Sequence, residues 1–236
     1  MAHRADDANA HGVGARVVSA LVLAPVALGL VYAGGAAFNL LVLVAATLMA
    51  YEWERLCRRG AAPAGAARAG GLWLAGGAVY IAVPCIAIIW LRADETVGRE
   101  TVFWLFAVVW ATDVGAYFAG RGVGGPKLLP RISPGKTWAG LIGGVVCAAL
   151  VGAAAAALLD LPSHAPLILV SALLAVVAQA GDLFESMVKR RFKAKDSGTL
   201  IPGHGGVLDR LDGLLAAAPV VAVITVFSGQ GVLAWR

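Results

Sequence analysis

The chain has 236 residues, of which 60% are hydrophobic and only 14% charged. Its mean hydropathy of +0.81, set against the roughly one-quarter charged residues of a soluble domain, excludes a water-soluble globule. The net charge of +5 fits basic loops at a membrane surface and does not call for nucleic acid as a partner.

Taken in chain order, the apolar residues fall into runs of roughly 17–24 residues, the helix length that crosses about 30 Å of hydrocarbon. Seven segments are read as spans: 17–33, 36–54, 71–91, 101–119, 138–159, 165–185 and 213–233. The first follows a polar lead with Arg4 and Arg16 and is read as a retained helix, because further spans follow it. Pro84 and Pro219 fall inside the third and seventh segments, and the count rises to eight or nine if they split those helices. The expected fold is therefore all-α, a polytopic transmembrane helix bundle of about seven spans. Residues 1–100 form its N-terminal helices. Residues 101–236 form a second transmembrane region with two charged loops, 120–137 and 186–212. Gly140 and Gly144 form a GxxxG pair suited to close helix packing. Cys57, Cys85 and Cys147 are too far apart in sequence to suggest a disulfide framework or a zinc site.

Seven spans with the N-terminus inside put 16 of the 19 Lys and Arg on one side, leaving Arg92, Arg99 and Arg236 on the other. The positive-inside rule makes the crowded side cytoplasmic, and both charged loops lie there. The expected location is the inner, cytoplasmic membrane, with the N-terminus and both charged loops facing the cytoplasm.

Carboxylates inside spans are costly, about 2.5–3.5 kcal/mol each on insertion scales, and so tend to face a polar interior. Asp113 sits in such a segment, with Tyr117 one turn on. Asp182, Glu185, Ser186, Lys189, Arg190 and Lys193 fall at i, i+3, i+4, i+7, i+8 and i+11, one polar stripe on a helix leaving the membrane. Intrahelical ion pairs account for the outer end of that stripe but not for Asp182. Asp209 and Asp212 share one face at the start of the last helix. Three carboxylates among cations suggest a divalent metal bridging phosphates, with a metal-free salt-bridge network as the alternative.

Two phosphate motifs are false. GRGVGG at 120–125 follows an apolar helix and no strand, so it is not a dinucleotide fingerprint. The GKT at 135–137 lacks the first glycine of a P-loop, since position 130 is Pro130. Ser133, Lys136 and Thr137 nevertheless precede a helix N-terminus that favours anions, and Arg121, Lys127 and Arg131 extend the basic surface.

The stretch SMVKRRFKAKDSGTLIPGHGGVLDRLD, residues 186–212, closely resembles the signature of the phosphatidate cytidylyltransferases, the CDP-diacylglycerol synthases. The likeness extends to DVGAYFAGR at 113–121, ISPGKTWAG at 132–140, GDLFES at 181–186 and, more weakly, YEW at 51–53. The chain departs from the family's SPKKTWEG at Gly135 and Ala139, which makes those two positions non-catalytic here. The resemblance implies transfer of a cytidylyl group from CTP to phosphatidic acid in the bilayer, with release of pyrophosphate, by a homodimer. It implies magnesium as cofactor, the number of cations left open, on Asp182, Asp209 and Asp212. Lys189, Arg190, Lys193, Lys195 and Arg210 would handle the triphosphate and the lipid phosphate. His204, Gly205 and Gly206 would shape the nucleotide loop, with Asp196 and Ser186 beside it. A CTP-using enzyme for an isoprenoid lipid phosphate or alcohol is the nearer rival, and a cation-coupled transporter of an anionic solute the more distant one. The gathering of polar residues on one face disfavours the transporter.

Overall fold

A computed structural model describes residues 21–59, 67–200 and 205–235. Each apolar run folds as a continuous helix, because a segment in hydrocarbon must satisfy its backbone polar groups within itself. In chain order the helices are α1 (Leu21–Ala33), α2 (Gly35–Arg59), α3 (Ala67–Arg92), α4 (Gly98–Gly122), α5 (Trp138–Leu158), α6 (Ala165–Arg191) and α7 (Leu208–Ser228). A short 3-10 turn, Val232–Ala234, follows. Helices α2 to α7 are long and apolar enough to cross a membrane, so the chain is a multi-pass helical bundle. The described part of α1 is 13 residues long, and residues 17–20 of its expected span lie outside the described residues. Pro84 and Pro219 sit inside α3 and α7 without splitting them, so the higher span counts do not apply.

Helices α4, α6 and α7 meet in the main core, through Val102, Leu105, Val108, Leu174, Ala178, Ala217 and Val221. A second cluster packs α2 and α3 against the loop-bearing ends of α6 and α7, through Met49, Trp53, Leu56, Ile81, Val188 and Leu208. The Trp53 indole N–H donates to the Trp73 carbonyl at 2.8 Å, tying α2 to α3 beside it. Helix α5 presents one buried row of small residues: Gly140, Gly144, Ala148, Gly152 and Ala156. A Cβ at Gly144 would lie 2.9 Å from the Thr112 carbonyl of α4, and one at Gly152 would lie 2.8 Å from the Leu167 carbonyl of α6. The GxxxG pair thus belongs to a longer seam along which backbones touch. Outward side chains such as Leu72, Ile86, Leu150 and Phe227 are exposed, as a lipid-facing surface requires.

At the far end of the bundle, Arg92 Nε donates to the Val31 carbonyl at 2.7 Å and Nη2 to the Tyr32 carbonyl at 3.1 Å. A cation thus caps the C-terminus of α1. In the α3–α4 turn, the Thr96 hydroxyl and the Val97 amide both donate to Asp94 Oδ1. These bonds hold the Asp94 carboxyl below its ordinary range.

Several boundaries differ from the sequence reading: α2 runs on to Arg59 and α6 to Arg191, beyond the expected 54 and 185. Residues 120–137, read as a loop, contain an antiparallel hairpin of β1 (Lys127–Leu129) and β2 (Ser133–Thr137), with Lys127 opposite Thr137 and Leu129 opposite Ser133. The last helix begins at Leu208 rather than 213 and stops at Ser228, where Gly229 takes a left-handed φ of 70° and ends it.

Candidate active site

The charged residues gather where the C-terminal end of α6 crosses the N-terminal end of α7. Gly181 permits the crossing: a Cβ there would lie 2.8 Å from the Asp212 carbonyl. The next residue, Asp182, is thereby set beside the first turns of α7. Its Oδ2 pairs with Lys136 Nζ from β2 at 2.7 Å, and its Oδ1 accepts from Ser186 Oγ at 3.3 Å. Lys136 also donates to the Gln179 carbonyl at 3.3 Å. The hairpin therefore exists where a basic loop was expected, and it delivers its lysine to the acid of α6.

One turn further along α6, the polar stripe turns into the protein. Glu185 is fully buried, and neither of its carboxylate oxygens has a hydrogen-bond partner. Lys189 Nζ lies 3.4 Å from Glu185 Oε1 and 2.7 Å from Asp209 Oδ1. Asp209 is the most heavily engaged acid of the site. Besides Lys189, its Oδ2 accepts from the Ser197 amide at 3.0 Å and from the Gly206 amide at 2.9 Å. Gly205, next to that contact, has a φ of +88°, a backbone setting that costs glycine nothing.

Glu52 is the residue that the sequence reading missed. It projects from α2, is 1% exposed, and accepts from three donors of the signature region: Ser197 Oγ at 3.3 Å, the Val207 amide at 3.0 Å and the Leu208 amide at 2.9 Å. Val207, which caps α7, makes no side-chain cap bond. The cap comes instead from a carboxylate of a helix about 155 positions earlier, where the positive end of α7 favours negative charge. The signal was available: a glutamate between two aromatics at the inner end of a span, in the YEW stretch, has no inexpensive structural reason to be there.

Asp212 Oδ1 accepts from its neighbour, the Gly213 amide, at 2.7 Å. Asp182, Glu185 and Asp113 are all within its electrostatic reach. Asp113 opens to the outside of the bundle yet senses Asp182, Lys136 and Arg210. The Tyr80 hydroxyl, buried and without a hydrogen-bond partner, faces the field of Glu185, Asp212 and Asp182.

The remaining expected residues spread outward from this centre. Thr137 is buried, and its Oγ1 accepts from the Gly140 amide at 3.0 Å as the N-cap of α5, so its hydroxyl is committed to the helix. Ser133 pairs opposite Leu129 in the hairpin. Tyr117 is exposed, its ring edge-on to Phe118, and Arg121 is exposed in the last turn of α4. Arg190 Nε donates to the Ile132 carbonyl at 3.4 Å, linking α6 to the hairpin turn. Because α6 ends at Arg191, Lys193 leaves the stripe and takes a left-handed φ of 54°. Lys195, Asp196 and Arg210 are exposed around the same rim. His204 lies outside the described residues.

Among the described residues, no three His, Cys, Asp or Glu side chains stand close enough to hold a metal ion by themselves. Magnesium does not need such a cage, since it takes one or two carboxylates and completes its shell with water and substrate phosphate oxygens. Asp182 and Asp212 have the right oxygen chemistry, and Glu185, with Lys189 as its counter-ion at 3.4 Å, adds a third carboxyl group within reach of Asp212. The residues present fit the ion on those terms.

A multi-pass helical bundle carries, at one end, carboxylates interleaved with lysines and arginines from β2, α6 and α7. That arrangement suits bringing polyanions together at a membrane surface, which is the work of a membrane-embedded phosphate-transferring enzyme. Comparison with known proteins narrows that class. Residues 71–228 match the model of the cytidylyltransferase family, and the chain belongs to that family. It is 41% identical to the phosphatidate cytidylyltransferase of Brucella suis biovar 1 (strain 1330) over 244 aligned positions, covering 87% of this chain and 90% of the relative. It is 34% identical to the phosphatidate cytidylyltransferase of Rickettsia bellii (strain RML369-C), covering 94% of each. The protein of the same name from Rickettsia felis is 33% identical, covering 89% of this chain and 91% of the relative.

Proposed function

We propose that the protein is a phosphatidate cytidylyltransferase, converting CTP and phosphatidic acid to CDP-diacylglycerol and pyrophosphate. One observation carries this reading. The Lys136–Asp182 and Lys189–Asp209 pairs, at 2.7 Å each, bring the hairpin, α6 and the signature helix α7 to a single membrane-edge site.

The reaction forms a bond from a phosphate oxygen of the lipid to the α-phosphorus of CTP and breaks the bond from that phosphorus to the bridging oxygen of pyrophosphate. The attacking phosphomonoester is already largely ionised near neutral pH, its second pKa being about 6, so no strong general base is required. The task left to the protein is to hold two polyanions together and stabilise the charge that develops between them. Lys136, Lys189, Arg190 and Arg210 supply the positive charge from three separate elements. Lys193 and Lys195 widen it towards the triphosphate. Asp113 and Tyr117, on one face of α4, lie where the lipid head enters from the bilayer. His204, Gly205 and Gly206 shape the bend that meets the nucleotide. Asp182 and Asp212 would hold magnesium, with Asp209 fixing the loop beside them. Bound there, the ion would neutralise phosphate charge and polarise the α-phosphoryl group.

The basic end of the bundle faces the cytoplasm in this reading, since the seven-span reading of the sequence assigns 16 of the 19 Lys and Arg to that side. In a bacterium of the relatives' kind, the membrane is the inner one. The homodimer rests on the family resemblance alone and is read directly from the mass of the purified chain in nanodiscs.

The deciding experiment incubates the purified full chain with α-labelled CTP, magnesium and a lipid panel of phosphatidic acid, diacylglycerol and an isoprenoid phosphate. Label should appear in lipid only with phosphatidic acid, with one pyrophosphate released per transfer. Asp182→Asn should abolish it without loss of the folded protein. Transfer to the isoprenoid phosphate instead, or full activity in Asp182→Asn, would overturn the assignment.

A further inference from the structure

We infer that Glu52 is a positioning residue of the reaction: its carboxylate, reaching in from α2, sets the signature segment and the start of α7 in the geometry that holds CTP. The inference rests on the function proposed above.

The geometry is specific. A buried carboxylate among apolar side chains is unfavourable unless donors surround it. Glu52 has three, and all belong to the signature region. Those donors come from both flanks of the stretch between Gly198 and Gly206: Ser197 from one side, Val207 and Leu208 from the other. The same stretch is gripped a second time by Asp209, which accepts from the amides of Ser197 and Gly206. Ser197 is thus held by its hydroxyl from Glu52 and by its amide from Asp209.

The surrounding glycines fit that role. A Cβ on Gly198 would collide with Glu52 Oε1, and a Cβ on Gly206 would collide with the Ser197 hydroxyl and lie 2.7 Å from Glu52 Oε2. Both backbone strands pass so close to the carboxylate that no side chain fits between them. Glu52 also decides where α7 begins. Its acceptance from the Val207 and Leu208 amides fixes the first turn, and the first turn fixes the direction in which Asp209, Arg210 and Asp212 project. Glu52 need not touch CTP to act; it determines whether the residues that do are aligned.

Glu52→Gln is nearly isosteric but turns an NH2 group towards amides that need an acceptor. Loss of a bond to a charged group of this kind corresponds to a fall in kcat/KM for CTP of about 10- to 100-fold. The loss should lie mainly in KM for CTP, with KM for phosphatidic acid changed less than about threefold, because the distortion is local to the nucleotide loop. Glu52→Asp, which keeps the charge, should recover part of the loss. Ser197→Ala removes one donor of the three and should raise KM for CTP by about threefold. Hydrogen exchange of the full chain in detergent gives a readout independent of turnover: the Ser197, Val207 and Leu208 amides should exchange faster in Glu52→Gln. Faster exchange with an unchanged KM for CTP would overturn the positioning role, as would a folded Glu52→Gln with wild-type exchange. If Glu52→Gln does not fold, an unchanged KM in Ser197→Ala overturns it. A wild-type chain that makes no CDP-diacylglycerol would instead refute the functional reading, while the exchange data still decide whether the clamp exists.

Discussion

Replacing Lys189 with Met should cost the enzyme more than its lost contact with one acid. Lys189 Nζ stands between Asp209 at 2.7 Å and Glu185 at 3.4 Å, with side-chain exposures of 13%, 8% and 0% respectively. Solvent screening is therefore slight. Removing one partner of a buried pair costs about 3–5 kcal/mol, mostly because the charge left behind has no counterpart. Here two carboxylates would be left behind, facing each other. If half of that cost is felt as loosening of the loop that Asp209 anchors, kcat/KM falls by about 10- to 70-fold, and by about 150- to 5,000-fold if it is felt in full. The assay is CDP-diacylglycerol formation by purified Lys189→Met, Asp209→Asn and the double variant. Paired residues couple, so the double variant should be less impaired than the two single losses combined, by about 0.5–3 kcal/mol. Glu185→Gln added to Lys189→Met should restore activity, because it removes the carboxyl group that would otherwise face Asp209 with no cation between them. Additive losses in the double variant, or no restoration by Glu185→Gln, would refute the view that Lys189 acts as the common counter-ion.

Gly152→Val should destabilise the bundle by about 1–3 kcal/mol, through overpacking against Ser171 Oγ at 2.5 Å and the Leu167 carbonyl at 2.8 Å; a lowered melting temperature in detergent with unchanged KM values is the expected result. Single cysteines at Lys127 or Arg131 should react with an impermeant thiol reagent only from the cytoplasmic side, and a cysteine at Thr96 only from the other, in a background lacking Cys57, Cys85 and Cys147. Asp94, with its carboxyl held low by Thr96 and Val97, contributes stability above its unfolded pKa that is lost as pH falls through the lower folded value; Asp94→Asn should flatten the acid limb of the melting-temperature profile.

The helices were legible because burying a chain in hydrocarbon leaves a coarse signal in sequence. The stretches read at 71–91, 101–119 and 138–159 became Ala67–Arg92, Gly98–Gly122 and Trp138–Leu158. Boundaries failed where tertiary contacts set them. Helix α7 starts five residues early because Glu52 caps it from another helix, and no local pattern around Val207 records that cap. The hairpin at 127–137 escaped because its strands are three and five residues long, with Pro134 and Gly135 inside the second. Among the site residues, spacing along α6 placed Asp182, Glu185 and Lys189 on one face. Spacing could not say that Glu185 and Lys189 turn inward while Arg190 stays exposed, since burial depends on what α7 covers. Thr137 looked like an anion contact for the same reason that it works as a cap: both use a hydroxyl at a helix start.

The row of small residues on α5 has a dynamic consequence. Glycine and alanine have essentially no rotamers to lose on burial, and a seam in which backbone rests on backbone leaves few side chains, Gln179 and Ser171 among them, that can rearrange to absorb a shift. Helices α4, α5 and α6 are therefore joined stiffly along that seam. Thr137 and Gly140, at its site end, inherit that stiffness, so Lys136 is presented from a nearly immovable base. Any adjustment needed to admit CTP and release pyrophosphate then falls to parts held by ion pairs and hydrogen bonds, such as Lys189 with Asp209. The protein divides its labour between a rigid frame made of its smallest residues and a polar site made of its few charged ones.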